Sequence, residues 1–205
     1  MRDFPVSEAP TLDDALKKIH ARYDKLNTDH FVNILSCASS KNFVRFFSYL
    51  PLMLHQYLLN GIVSNADHYR RDSDPDHGRI FFGPNQRFTG WPPRDIEKGI
   101  RMASSHLVVN ENKAIHNAVK FYQQFVMVHP FYDTNGRIGR FIVEAFLNFH
   151  GIGIFWEKLC ANMTWLKKLN DCHKRFNGPD YDRYLGFLVS HWAKFTFIEE
   201  IEIEL

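Results

Sequence analysis

Twelve residues, His129 to Arg140, constrain this chain more than any other stretch. They read H-P-F-Y-D-T-N-G-R-I-G-R and lie between two strongly apolar segments of helical period. Upstream, Ile115, Val119, Tyr122, Phe125 and Val126 recur at helix spacing; downstream, Ile138, Ile142, Ala145, Phe146 and Phe149 do the same until Gly151 supplies a stop. Pro130 ends the first helix, because a proline pushes the residue before it out of the helical region. Asp133, Thr134 and Asn135 then form a loop of cap and turn residues leading into the second helix. Two buried helices joined by a tight polar loop argue for an all-α fold with its chemistry at a helix N-terminus.

The first turn of a helix carries unpaired N–H donors and a partial positive charge, so it is a ready anion site. Asn135 and Gly136 offer close backbone approach there, and Arg137 and Arg140 add two positive charges whose planar forks suit phosphate. Asp133 is placed to act as a hard-oxygen ligand for Mg²⁺, which is usually held by one or two carboxylates plus phosphate oxygens. His129 can serve as a general base near neutral pH. Singly, each residue has a bland explanation: an Asp before a helix caps it, and an Arg in its first turns is solvated. Seven such positions at fixed spacing do not.

The stretch resembles the signature of the Fic (filamentation induced by cyclic AMP) family, H-x-F-x-D/E-G-N-G-R-x-x-R. His129, Phe131, Asp133, Asn135, Gly136, Arg137 and Arg140 match it. The resemblance implies a protein adenylyltransferase that moves AMP from Mg-ATP to a Ser, Thr or Tyr hydroxyl of a target protein, with His129 as general base. It assigns Asp133 to the metal, and Asn135, Gly136, Arg137 and Arg140 to the phosphates. Thr134 stands where the family most often has Gly. Thr tolerates positive φ poorly, so the anion-binding backbone is where this chain is expected to depart from its relatives. With the catalytic and charged positions intact, the substitution reads as a tolerated variant.

At 205 residues, 45% hydrophobic and 23% charged, the chain is expected to be one soluble globular domain, residues 1–205, with the resemblance carried by 54–156. Its 19 Phe residues suggest an aromatic core, and Cys37, Cys160 and Cys172 read as reduced thiols. A net charge of +2 and no basic stripe give no reason to expect nucleic acid as a partner. With neither a signal peptide nor an apolar run of membrane-spanning length, the expectation is a cytoplasmic protein without a membrane partner.

Residues 1–11 read as an extended arm, and Thr11 as the start of a helix to about Asn27. A second helix begins near Thr28, followed by a turn over Ser36 to Asn42. Helical pieces follow over Phe43–Leu50 and Leu52–Ser64, split at Pro51. Asn65 to Gly78 is a loop. Arg79 to Thr89 reads as a short β-hairpin, the one strand signal in the chain, stopped by Trp91-Pro92-Pro93. Helices are expected again from Pro93 to about Val109, Glu111–Val128, Arg137–His150, Asn162–Phe176 and Tyr181–Phe195. The Fic resemblance extends to the hairpin as a flap, preceded by Tyr69-Arg70 and followed by Pro92-Pro93. It implies that Arg79, Ile80, Phe81, Phe82 and Gly83 dock the target segment by strand addition. The fold class is thus all-α, a Fic-type helical bundle with one β-hairpin flap. Residues that contact the adenine are not legible; the flap and Asn162–Phe176 are candidate walls for it.

Many Fic proteins are silenced by an S/T-x-x-x-E-G/N helix whose Glu pairs with the second signature Arg, here Arg140. No Glu lies between Ala9 and Ile96, and Thr196 to Glu200 has the spacing but is followed by Ile201, so a separate antitoxin-like partner stays open. Alternatives are transfer of another phosphate-containing group, a non-catalytic interaction module, or a helical ribonuclease suggested by Arg101 and His106. The target, the oligomeric state and the mode of inhibition are not legible.

Overall fold

The computed structural model describes residues 11–36, 40–108 and 113–198. Among these the chain forms nine α-helices and two two-stranded antiparallel sheets. The helices are α1 (Leu12–Tyr23), α2 (Thr28–Ser36), α3 (Ser40–Leu59), α4 (Ile96–Ser104), α5 (Ala114–Val128), α6 (Asn135–Phe149), α7 (Trp156–Ala161), α8 (Thr164–His173) and α9 (Tyr181–Trp192). The sheets pair β1 (Phe81–Phe82) with β2 (Phe88–Thr89), and β3 (Ile152–Ile154) with β4 (Thr196–Ile198). No described helix is long and apolar enough to cross a membrane.

The two apolar helices that flank the polar loop are the spine. α5 and α6 pack on each other, α2 and α3 lie against α6, and α4, α8 and α9 against α5. Phe43, Phe47, Phe121, Phe125, Phe131 and Phe146 are fully buried between them, the aromatic core that the composition suggested. α1 starts where expected: the Thr11 hydroxyl accepts the Asp14 N–H, and Asp13 and Asp14 complement the helix dipole. It docks through Arg22, whose guanidinium donates to the Leu58 and Asn60 carbonyls at 2.9 Å each and so caps α3.

Two expectations need correction, and one alternative finds no support. α3 is one helix running through Pro51, not two pieces. A mid-helix proline costs about 3 kcal/mol, but Phe43, Phe47, Leu50, Leu54 and Leu58 share one buried face across it, at roughly 1.5–3 kcal/mol each. Packing outweighs the lost hydrogen bond. Next, the hairpin is not the sole strand pair: Ile152–Ile154 closes on Thr196–Ile198, with Gly153 so near the Phe197 ring that no side chain fits. Thr196 to Ile198 is therefore strand and not an inhibitory helix; Glu199 and Glu200 lie outside the described residues. So do residues 1–10 of the expected arm and 37–39 of the expected turn. Finally, Arg101 pairs with Glu97 on the surface while the His106 Nε2 meets Gln124 Oε1 at 3.0 Å inside, so the nuclease spacing brings no two groups together.

Candidate active site

The polar loop is built by local chemistry. α5 ends because His129 adopts a left-handed conformation (φ 51°, ψ 60°) before Pro130. Phe131 is buried beneath, its ring parallel to that of His55 at 3.9 Å. Asn135 closes the loop, its amide donating to the Phe131 carbonyl (2.8 Å) and accepting the Phe131 N–H (3.1 Å). Its side chain is thus a structural clip for the loop, and its main-chain N–H lies at the helix start, where the sequence suggests backbone approach to an anion. The Asp133 carboxylate accepts the Thr134 N–H at 2.6 Å. No side chain caps α6, whose first helical bond runs from the Ile138 N–H to the Thr134 carbonyl. The N–H groups of Asn135, Gly136 and Arg137 precede that bond and make none within the helix. These are the donors on which the expectation of an anion site at the helix start rests.

Arg137 and Arg140 follow on the first turns of α6. The Arg140 guanidinium lies against the phenols of Tyr122 on α5 and Tyr23 on α1. Burial pushes the Tyr122 phenol up to about 12, against the opposing pull of Arg140, so it stays protonated beside that charge.

His129 is half-buried. Its Nδ1 lies 3.2 Å from the Val126 carbonyl. A carbonyl only accepts, so Nδ1 carries the hydrogen and Nε2 keeps the lone pair. Burial, aided by the nearby Arg70 charge, pushes the imidazole down to about 4 despite the opposing effects of Val126 and Asp133. The side chain is neutral at physiological pH and can accept a proton.

The hairpin covers this imidazole. Phe82 stacks on the His129 ring at 4.4 Å and 15°. Along the hairpin, Arg79 and Phe81 point out while Ile80 is buried and Phe82 turns inward. Of the five residues expected to dock a target, Ile80 and Phe82 therefore spend their side chains on the protein, as period-2 alternation along a strand requires. Arg79, Phe81 and Gly83 remain exposed.

His129 and Arg140 open into one cavity of about 730 Å³, walled by the flap at Phe82 and Gly83 and by α8 at Leu169 and His173. His173, which nothing in its spacing marked out, is 5% exposed between the edges of Phe82 and Phe88, and burial pushes it down to about 3. Arg70, legible only as half of a Tyr-Arg pair, is buried and binds the main chain of His129.

Residues 50–147 match the profile of the Fic/DOC family. That segment belongs to the Fic/DOC family. Among solved structures, the chain resembles the N-terminal Fic domain of a Bep effector from Bartonella sp. AR 15-3 (TM-score 0.62, 14% identity, 94% of this chain and 90% of that one). BepC of Bartonella tribocorum, crystallised with AMPPNP, is similar at TM-score 0.57 and 12% identity over 96% and 97% of the two chains. A Fic domain of Bartonella quintana with bound ADP gives 0.59 and 12% over 95% and 90%. At these identities the likeness is one of fold. No curated protein is matched by sequence.

Within the Fic signature, Thr134 holds φ 63° despite its branched side chain, and is 4% exposed. A branched side chain thus sits in the left-handed region at the position where the signature most often has Gly. A side chain at such a φ costs roughly 1–2 kcal/mol. Thr134→Gly should therefore be more stable than Thr134→Ala by about 1 kcal/mol, in urea unfolding of both variants. Equal midpoints would mean that the loop relaxes around the residue.

Proposed function

We propose that this protein transfers the nucleoside monophosphate of Mg-ATP, AMP, to a hydroxyl of a target protein. The observation that carries the reading is the placement of His129: its Nδ1 faces the Val126 carbonyl, which leaves Nε2 as the proton acceptor, and its ring shares one cavity with Arg140 at the uncapped start of α6. The polyphosphate would lie along the α6 N-terminus, held by main-chain N–H groups and by Arg137 and Arg140. The target O–H would give its proton to His129 Nε2 while its oxygen attacks the α-phosphorus. The bond from that phosphorus to the bridging oxygen then breaks, pyrophosphate leaves, and AMP remains on the target oxygen. The chain's contribution is positioning and charge stabilisation.

The residues present fit Mg²⁺. Asp133 commits one carboxylate oxygen to Thr134 and keeps the other, and no group of three acidic, His or Cys side chains among the described residues could hold a metal without the nucleotide. That suits an ion carried in by phosphates, where it would neutralise charge on the leaving group. The AMPPNP and ADP bound by the two Bartonella relatives support a nucleotide in this cavity.

ATP labelled at the α-phosphate is the test, given to purified protein with Mg²⁺, alone and with cell lysate, beside His129→Ala. Label on protein that disappears in His129→Ala is expected, with ATP affinity of the variant retained. Transfer from γ-labelled ATP alone would move the assignment to phosphotransfer. An ATP-binding protein that moves neither label under any lysate would leave the enzyme reading without support.

A further inference from the structure

Arg70 is a cation in the interior whose hydrogen bonds go only to main-chain carbonyls. It is 2% exposed. Its Nε donates to the His129 carbonyl at 2.7 Å, and Nη2 donates to the Trp91 and Val128 carbonyls at 2.9 and 3.3 Å. Its Nη1 donates to the Gly78 carbonyl, and its own main-chain N–H to that of Pro130 at 3.0 Å. Asp74 is the acid that acts on it, but that carboxylate accepts from the Tyr132 hydroxyl and the Arg71 N–H instead. Burying a charge without an ion-pair partner is costly, and the cost is justified only where its geometry is needed.

The acceptors define that geometry. Gly78 precedes β1 and Trp91 follows β2, so both roots of the hairpin end on one guanidinium. Val128, His129 and Pro130 are the end of α5 and the turn that carries the base. A planar fork with five donors can hold these segments in one register, and an ammonium cannot. The fit around it is tight: a Cβ on Gly90 would stand 3.0 Å from Arg70 Nη2 and 3.1 Å from the His129 Cβ.

We propose that Arg70 is a positioning residue that joins the flap to His129 as one rigid unit, fixing the base and its cover against each other. This deepens the transferase reading, in which the hydroxyl must meet Nε2 beneath the flap, and it rests on that reading only for its catalytic consequence. Arg70 touches no reacting atom; it acts through His129 and the hairpin roots.

Native-state hydrogen exchange on the unmodified protein tests the coupling. The N–H groups of Arg70, Gly90, Trp91 and His129 are bonded to Pro130, Ile80, Val128 and Phe125 respectively. They should open together, with protection within about tenfold of one another. Hairpin amides exchanging far faster than that of His129 would overturn the proposal. Arg70→Lys and Arg70→Gln add a second readout. Binding of inorganic tripolyphosphate should stay within about threefold of wild type, because the start of α6 is untouched. The ¹⁵N signals of His129 should change from a single Nδ1–H tautomer to a mixture, and label transfer should fall in kcat more than in KM. A folded Arg70→Gln with unchanged His129 signals would overturn the idea. Loss of tripolyphosphate binding by the wild type would strike the nucleotide reading and leave the exchange result standing.

Discussion

Acidification from pH 7 to 4.5 is expected to remove much of this protein's stability, through histidines that fold neutral. His55 and His173 are almost wholly buried and His129 half so; burial holds them at about 4, about 3 and about 4. In the unfolded chain each takes a proton near 6.5. The unfolded state therefore binds more protons over the interval below 6.5, and stability falls with falling pH until the folded values are reached. A depression of that size corresponds to on the order of 3 kcal/mol for one fully buried group, and total stability is only about 5–15 kcal/mol. Urea midpoints at pH 7, 5.5 and 4.5 should fall steeply. His173→Phe should flatten the trend, since a phenyl ring can meet the edges of Phe82 and Phe88 and takes no proton. Midpoints independent of pH would mean that these imidazoles are hydrated when folded. The same depression predicts that transfer shows no acid limb near 6.5, because His129 remains a base down to about 4.

How much of this was legible follows from which forces are local. The turn from α5 to α6 could be read because Pro130 and the polar run Asp133 to Asn135 punctuate two periodic segments, and the unpaired N–H groups at the start of α6 follow from helix geometry alone. Thr11 announced α1 for the same reason. Pro51 misled because its effect is local while the face shared by Phe43 and Leu58 is not. The β3–β4 pair joins segments more than forty residues apart, which no period reveals. That the Asn135 side chain closes its own loop could not be read, because its partner is the main chain at Phe131. The inward turn of Ile80 and Phe82 was available from strand alternation. Arg70 and His173 could not be placed, because Arg70 is bonded to both hairpin roots and to the end of α5, while His173 lies on a helix beyond the signature against Phe82 and Phe88 of the hairpin.

The two glycines between His129 and Arg140 should separate ligand binding from packing, and their alanine variants should fail in opposite ways. At Gly139 a Cβ would stand 3.1 to 3.2 Å from ring carbons of Tyr122 and Phe125, both buried and unable to yield. Gly139→Ala must push α5 from α6, and overpacking of this kind costs about 1–3 kcal/mol. At Gly136 a Cβ would meet only Arg140 Nη1 at 3.6 Å and the Tyr122 hydroxyl at 3.8 Å, ordinary contacts. The folded protein has room for Ala there, and the stiffer unfolded chain should make Gly136→Ala as stable as wild type or better by about 0.5–1 kcal/mol. That methyl would, however, project between the first-turn N–H groups and Arg140, where a phosphate needs close approach. Losing one charge-assisted hydrogen bond of about 1.5–3 kcal/mol weakens binding by roughly 10- to 150-fold, read by calorimetry with ATP and tripolyphosphate. Gly139→Ala should instead lower Tm and bind both ligands normally while folded. The reverse pattern would make Gly136 a packing residue, and the start of α6 would lose its claim as the phosphate site.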